Sequence, residues 1–216
     1  MTHITTSGLL FDCDGVLADS LEAAALAWDA WAVDYAPTYN FRRDFVHGRR
    51  MDDVVDELVG SAIRVEAGNA LVLREVETAV QSIPIRGAIA LVESLPTGTW
   101  AVVTSGLRVV ANARLAAAGI PAPASMVTSE DVTLGKPNPE PYLAGAALLG
   151  RNPADCVVFE DAPAGIRAGL DAGVKAVIGV GASALGSGAH VVVADLTAVS
   201  YRDGVLVIAD SMRLDL

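Results

Sequence analysis

The sequence predicts a doubly wound, mostly parallel α/β sheet that carries an inserted all-helical block. Three observations predict it. Short apolar runs at residues 9–11, 100–103 and 157–159 stop abruptly at polar residues, as buried strands of a parallel sheet do. From Arg86 onward such runs alternate with helical stretches, the pattern of a sheet wound with helices. Between the first run and the second lies a long stretch with helical patches and neither a strand pattern nor a repeat.

Taken in order, residues 9–11 form the first strand, ending at Asp12-Cys13-Asp14-Gly15. Residues 21–35 form an Ala-rich helix that Asp19 or Ser20 can cap, with Leu26, Trp28, Trp31 and Ala32 as packing positions. Helical patches follow at 52–58 and 66–80. A helix at 88–95 stops at Pro96, a strand at 100–103 ends at Thr104-Ser105-Gly106, and a helix at 107–118 stops at Gly119. A short strand at 125–128 precedes a helix at 139–149, with a proline in its first turn as expected. A strand at 157–159 ends at Glu160-Asp161, and a helix at 163–172 stops at Gly173. Strands at 175–180, 190–193 and 205–208 complete the chain. The core is then residues 1–16 and 85–216, and residues 17–84 form a helical cap over the carboxyl ends of the strands. Caps of this kind exclude water and select substrate.

The composition narrows the function. With 216 residues, 52% of them hydrophobic, the chain can bury a substantial core. A net charge of −11 argues against nucleic acid, whose phosphates require basic surface. It leaves room for a small anionic substrate in a local cationic pocket. No apolar run reaches the length of a membrane span, and the N-terminal residues lack a basic start and an apolar signal core. A cytoplasmic enzyme is the expectation.

Four loops carry the candidate chemistry. Asp12 and Asp14 end the first strand, where ligands bind in open α/β sheets. Two converging carboxylates repel unless a cation, a shared proton or distance separates them, and oxygen ligands suit Mg²⁺. Asp-x-Asp-Gly also occurs in surface turns, so the partners decide. Thr104-Ser105-Gly106 offers hydroxyls and, at a helix start, backbone N–H groups to a phosphoryl oxygen. Lys136, in Gly135-Lys136-Pro137, offers a compact positive charge. Glu160 and Asp161 can complete an oxygen shell with Asp12. Taken alone, each has a plainer role as a helix cap, a solvated lysine or a polar strand end. A parallel sheet brings all four to one edge.

These motifs, with Phe159-Glu160-Asp161-Ala162-Pro163-Ala164-Gly165 as the fourth, resemble the haloacid dehalogenase-like superfamily over nearly the whole chain. Within it the chain looks like the sugar- and polyol-phosphate phosphatases with a helical cap. The segment His47-Gly48-Arg49-Arg50 is similar to one in the branch acting on polyol and deoxysugar phosphates. The resemblance implies that Asp12 attacks phosphorus to form an aspartyl-phosphate, and that Asp14 acts as general acid and then general base. It implies Mg²⁺ held by Asp12, the Asp14 backbone carbonyl, Glu160 and Asp161, with Thr104 and Lys136 on the phosphoryl oxygens. Ser105, Gly106, His47, Arg49 and Arg50 are the candidate substrate contacts. The family's dehalogenases lack the second carboxylate, so Asp14 argues against that chemistry.

A sugar phosphomutase is the nearest rival. The similar β-phosphoglucomutases carry a histidine in the first cap helix where this chain has Ala24. A non-catalytic phosphate-binding module would not need Asp14, Thr104 and Lys136 together. The stretch 179–184 formally fits a dinucleotide fingerprint, but it follows the wrong strand and reads as a flexible loop. Finally, aligning the first and fourth core strands through Asp12 and Asp161 puts Cys156 five residues back, about 16 Å down its strand. Cys13 lies at the opposite end, which predicts two free thiols.

Overall fold

The computed structural model describes residues 1–45 and 48–216. It opens with β1 (Thr2–Thr5) and β2 (Gly8–Phe11). The inserted block runs from β3 (Ala18–Asp19) through α1 (Leu21–Tyr35), α2 (Phe41–Asp44), α3 (Met51–Val59) and α4 (Arg64–Thr78) to β4 (Ile83–Pro84). The alternating part then gives α5 (Ala88–Ser94), β5 (Trp100–Val103), α6 (Arg108–Ala117), β6 (Met126–Val127) and α7 (Glu140–Leu148). It continues with β7 (Cys156–Glu160), α8 (Pro163–Asp171), β8 (Ala176–Val180) and β9 (Val191–Val193), and closes with β10 (Val199–Arg202) and β11 (Val205–Ile208).

The central sheet has six strands in the order β6-β5-β2-β7-β8-β9, paired in parallel throughout. Its buried strands divide their side chains by the two-residue period. Leu9, Phe11, Val102, Val157 and Phe159 pack on one face with Leu91, Val92 and Leu115 from α5 and α6. Leu10, Ala101, Val103 and Val158 pack on the other with Tyr142, Ala146 and Ile166 from α7 and α8. The insertion has its own apolar cluster around Trp28, Trp31, Phe41, Val55, Ala67 and Leu71. The expected packing role of Trp28 and Trp31 is therefore observed. At the base of the insertion β3 and β4 pair antiparallel, Ala18 with Pro84 and Asp19 with Ile83, so both ends of the block leave the core together.

Three details depart from expectation. First, β1, β11 and β10 form a separate antiparallel sheet, of which the sequence reading recognised only the strand at 205–208. Second, β2 and β7 align through Phe11 and Phe159, whose rings stack at 4.6 Å. Asp12 therefore lies level with Glu160, one residue short of the expected Asp161. Cys156 sits opposite Gly8 and both cysteines are free, as expected. Third, Ser20 occupies the N-cap of α1 but makes no side-chain cap, because its hydroxyl goes to Asp14. The 179–184 stretch ends β8 and makes a single 3-10 turn with no helix after it, in keeping with the rejection of a dinucleotide fingerprint there. Among the described residues no helix is long and apolar enough to cross a membrane.

Candidate active site

β2 lies between β5 and β7, where strand order reverses. In open α/β sheets this switch point forms the ligand crevice beyond the carboxyl ends. Asp12 is the first residue beyond β2, and its N–H donates to the Phe159 carbonyl at 3.0 Å. The chain then folds back sharply, with the Leu17 and Ala18 N–H groups both donating to the Cys13 carbonyl. Gly15 makes this possible at φ +79, and a Cβ there would stand 2.3 Å from Asp161 Oδ2.

Lys136 organises the charge. Its side chain is buried, and its ammonium donates to Asp12 Oδ1 at 2.8 Å, Glu160 Oε1 at 2.6 Å and the Val103 carbonyl at 2.9 Å. All three of its protons are thereby used. Glu160 Oε1 also accepts from the Tyr142 hydroxyl at 2.8 Å, and Oε2 accepts from the Ala162 N–H at 3.1 Å. Glu160 fits only because residue 165 is glycine: a Cβ there would lie 1.6 Å from Oε1. Burial pushes the Asp12 carboxyl up to about 7, with the charges of Glu160 and Asp14 adding and Lys136 opposing. Burial, then Glu160 and Asp12, pushes Asp161 up to about 8.

Asp12, Glu160 and Asp161 each bring a carboxylate oxygen within 4.8 Å of the others. Asp161 has no hydrogen-bond or ion-pair partner among the described residues. Oxygen donors, an unpartnered carboxylate and raised proton affinities fit a hard divalent cation.

A second buried network adjoins the first. Asp14 Oδ1 accepts from the Ser20 hydroxyl and from Arg114 Nη1 at 2.9 Å. Arg114 Nη2 reaches Glu75 Oε1 at 3.1 Å, where Trp28 Nε1 also donates at 3.1 Å. Sequence reasoning missed Arg114, Glu75 and Tyr142. The signal was present: Arg114 falls among the buried positions Val110, Ala111 and Leu115 of α6, and Glu75 continues the buried positions Ala67 and Leu71 of α4. A charge on an apolar stripe demands a buried partner.

Above these groups a cavity of about 440 Å³ lies between core and insertion, lined by Asp12, Asp14, Thr104, Trp28, Arg49 and Asp161 among others. Ser105 and Gly106 also line it, but the helix does not begin at 104–106. α6 starts at Arg108 with Leu107 at its N-cap, so the segment is a turn ahead of the helix. The Gly106 N–H is taken by Thr104 Oγ1 at 3.0 Å, and the Ser105 hydroxyl donates to the Gly48 carbonyl at 2.9 Å. Arg49 reaches the cavity while bonded through both terminal nitrogens to Glu57. Arg50 instead donates to the Thr133 carbonyl at 3.1 Å and to Asp53 at 3.4 Å, lining a separate groove beside Gly135 and Pro137. His47 lies outside the described residues.

Together these features define a hydrolase built on a doubly wound sheet, with an acidic centre roofed by helices. Residues 6–173 match the haloacid dehalogenase-like hydrolase family. The chain belongs to that family, on its phosphatase side. It is 43% identical to hexitol phosphatase A of Escherichia coli K12 over 182 residues, covering 82% of this chain and 84% of the relative. It is 36% identical to glycerol-1-phosphate phosphohydrolase 2 of Saccharomyces cerevisiae, covering 82% and 75%. In fold it is similar to a β-phosphoglucomutase from Clostridium difficile, with a TM-score of 0.77 at 22% identity, covering 88% of this chain and 92% of the other.

Proposed function

We propose that this protein hydrolyses a small sugar or polyol phosphate monoester, with Mg²⁺, through an aspartyl-phosphate on Asp12. One observation carries the reading. Lys136 grips Asp12 by Oδ1 alone, and Oδ2 has no partner among the described residues. A nucleophile held by one oxygen at a cavity wall is oriented for attack by the other. The relatives named for hexitol and glycerol phosphates support the substrate class.

In this reading Asp12 Oδ2 bonds to phosphorus as the ester P–O bond breaks. The departing alkoxide takes a proton from Asp14. Asp14 then takes a proton from water, whose oxygen bonds to phosphorus and releases Asp12. Thr104 and the 104–106 turn face the phosphoryl group from the cavity wall. Lys136 sets a positive charge beside the nucleophile, and Glu160 and Tyr142 hold that lysine in place. Mg²⁺, held by Asp12, Asp161, Glu160 and the Asp14 backbone carbonyl, would supply positive charge for the phosphoryl oxygens. A mutase has less support, because Ala24 brings no proton-carrying group to the cavity wall.

The test is phosphate release from a panel of polyol, sugar and glycolate phosphates, with Mg²⁺, with EDTA and with Asp12→Asn. Metal-dependent release abolished by Asp12→Asn is expected. No release alongside conversion of β-glucose 1-phosphate to the 6-phosphate would make the protein a mutase.

A further inference from the structure

We propose that Arg114, braced by Glu75 of the insertion, is a positioning residue that presents one chosen oxygen of Asp14 to the leaving group. The proposal rests on the phosphatase reading and adds to it how the proton donor is aimed.

Asp14 is held asymmetrically. Its Oδ1 accepts from both Ser20 and Arg114, which occupies both lone-pair directions of that oxygen. Its Oδ2 has no partner among the described residues, and the side chain is 34% exposed at the cavity wall. The proton exchanged with substrate is therefore carried on Oδ2.

Arg114 has a fixed plane from which to do this. One end of its guanidinium meets Asp14 and the other meets Glu75, and both Arg114 and Glu75 are buried. Glu75 is steadied in turn by Trp28 of α1. The path from α1 and α4 to the catalytic loop thus runs through one rigid fork, which a lysine could not reproduce. Arg114 Nε is buried with no hydrogen-bond partner among the described residues, so the polar contacts of the guanidinium that hold Asp14 and Glu75 are those of its two terminal nitrogens.

The test uses leaving-group dependence. kcat/KM reports steps up to departure of the leaving group. An alkyl alkoxide needs a well-aimed proton, and p-nitrophenolate does not. Arg114→Met is expected to lower kcat/KM roughly tenfold or more for the best alkyl phosphate and by at most about threefold for p-nitrophenyl phosphate. Arg114→Lys should recover part of the alkyl loss. A purely structural role would lower both substrates alike, and that result, or no loss with either, overturns the proposal. If Arg114→Met does not fold, the double variant Arg114→Met/Glu75→Met removes both buried charges together, a change proteins often accept. Glu75→Gln, which keeps an acceptor for Trp28, should show a weaker split in the same direction. If the wild-type protein cleaves neither ester, the phosphatase reading fails; if it cleaves both and the variants show no split, only this proposal fails.

Discussion

Replacing Lys136 by Met removes a cation that touches both Asp12 and Glu160. The side chain is 1% exposed and makes three hydrogen bonds of 2.6–2.9 Å, so methionine fills much of the space and supplies none of the bonds. Breaking a buried ion pair from one side costs about 3–5 kcal/mol. In a chain of this size each kcal/mol moves Tm by about 2–4 °C, so the melt should fall by about 6–20 °C. The loss should depend on pH. Asp12 is already pushed up to about 7, and losing the ammonium removes its main opposing influence. A carboxyl with a raised folded-state pKa costs nothing below its unfolded value near 4; its penalty builds from there up to the folded value and is constant above it, so pushing the folded value beyond about 7 adds cost only at pH above it. Melts of metal-free protein at pH 5 and pH 8 should show the larger deficit at pH 8. Equal stability of variant and wild type at pH 8, or a larger deficit at pH 5, would refute the reasoning.

Three further outcomes follow from the same geometry. Gly165→Ala puts a Cβ 1.6 Å from Glu160 Oε1, so it should destabilise by about 1–3 kcal/mol in urea titration and slow phosphate release through the displaced glutamate. Divalent-cation affinity, measured by calorimetry, should rise from pH 6 to pH 8, because Asp12 at about 7 and Asp161 at about 8 must lose protons to bind metal; flat affinity would count against this ligand set. Burial raises the thiol of Cys13 well above its usual value and that of Cys156 to about 11, so thiol reagents should find both cysteines slow in the native protein and two free thiols after unfolding.

Much of the fold was legible because the central strands are short, wholly apolar and punctuated by polar loops. The run at 9–11 reads as a buried strand with Asp12 at its end, and β2 bears this out. The antiparallel sheet was harder to see. The burial of β1 alternates along Thr2–Thr5, a weak period-two signal in a segment that reads as a polar tail. Register escaped by one residue, since stacking of Phe11 on Phe159, not alignment of carboxylates, sets it. In the site, the motif residues were legible because each follows a strand or, as with Lys136, leads into a helix. Arg114 and Glu75 were not, because they are 39 residues apart on helices of core and insertion. Their stripes show that each needs a partner but not which one. Likewise the sequence points to a helix start at 104–106 because nothing in Leu107 marks it as the N-cap.

The most direct test of the account is to trap the phosphoryl group on Asp12. Asp14→Asn should slow release of the phosphoenzyme, and p-nitrophenyl phosphate should still load it, since that leaving group needs no proton. Acid quenching within the first turnover, followed by peptide mass analysis, should find one phosphoryl group on the peptide containing Asp12, absent from Asp12→Asn. A phosphoryl group on another residue, or phosphate release with no phosphoenzyme at any time point, would contradict the assignment of Asp12 as nucleophile.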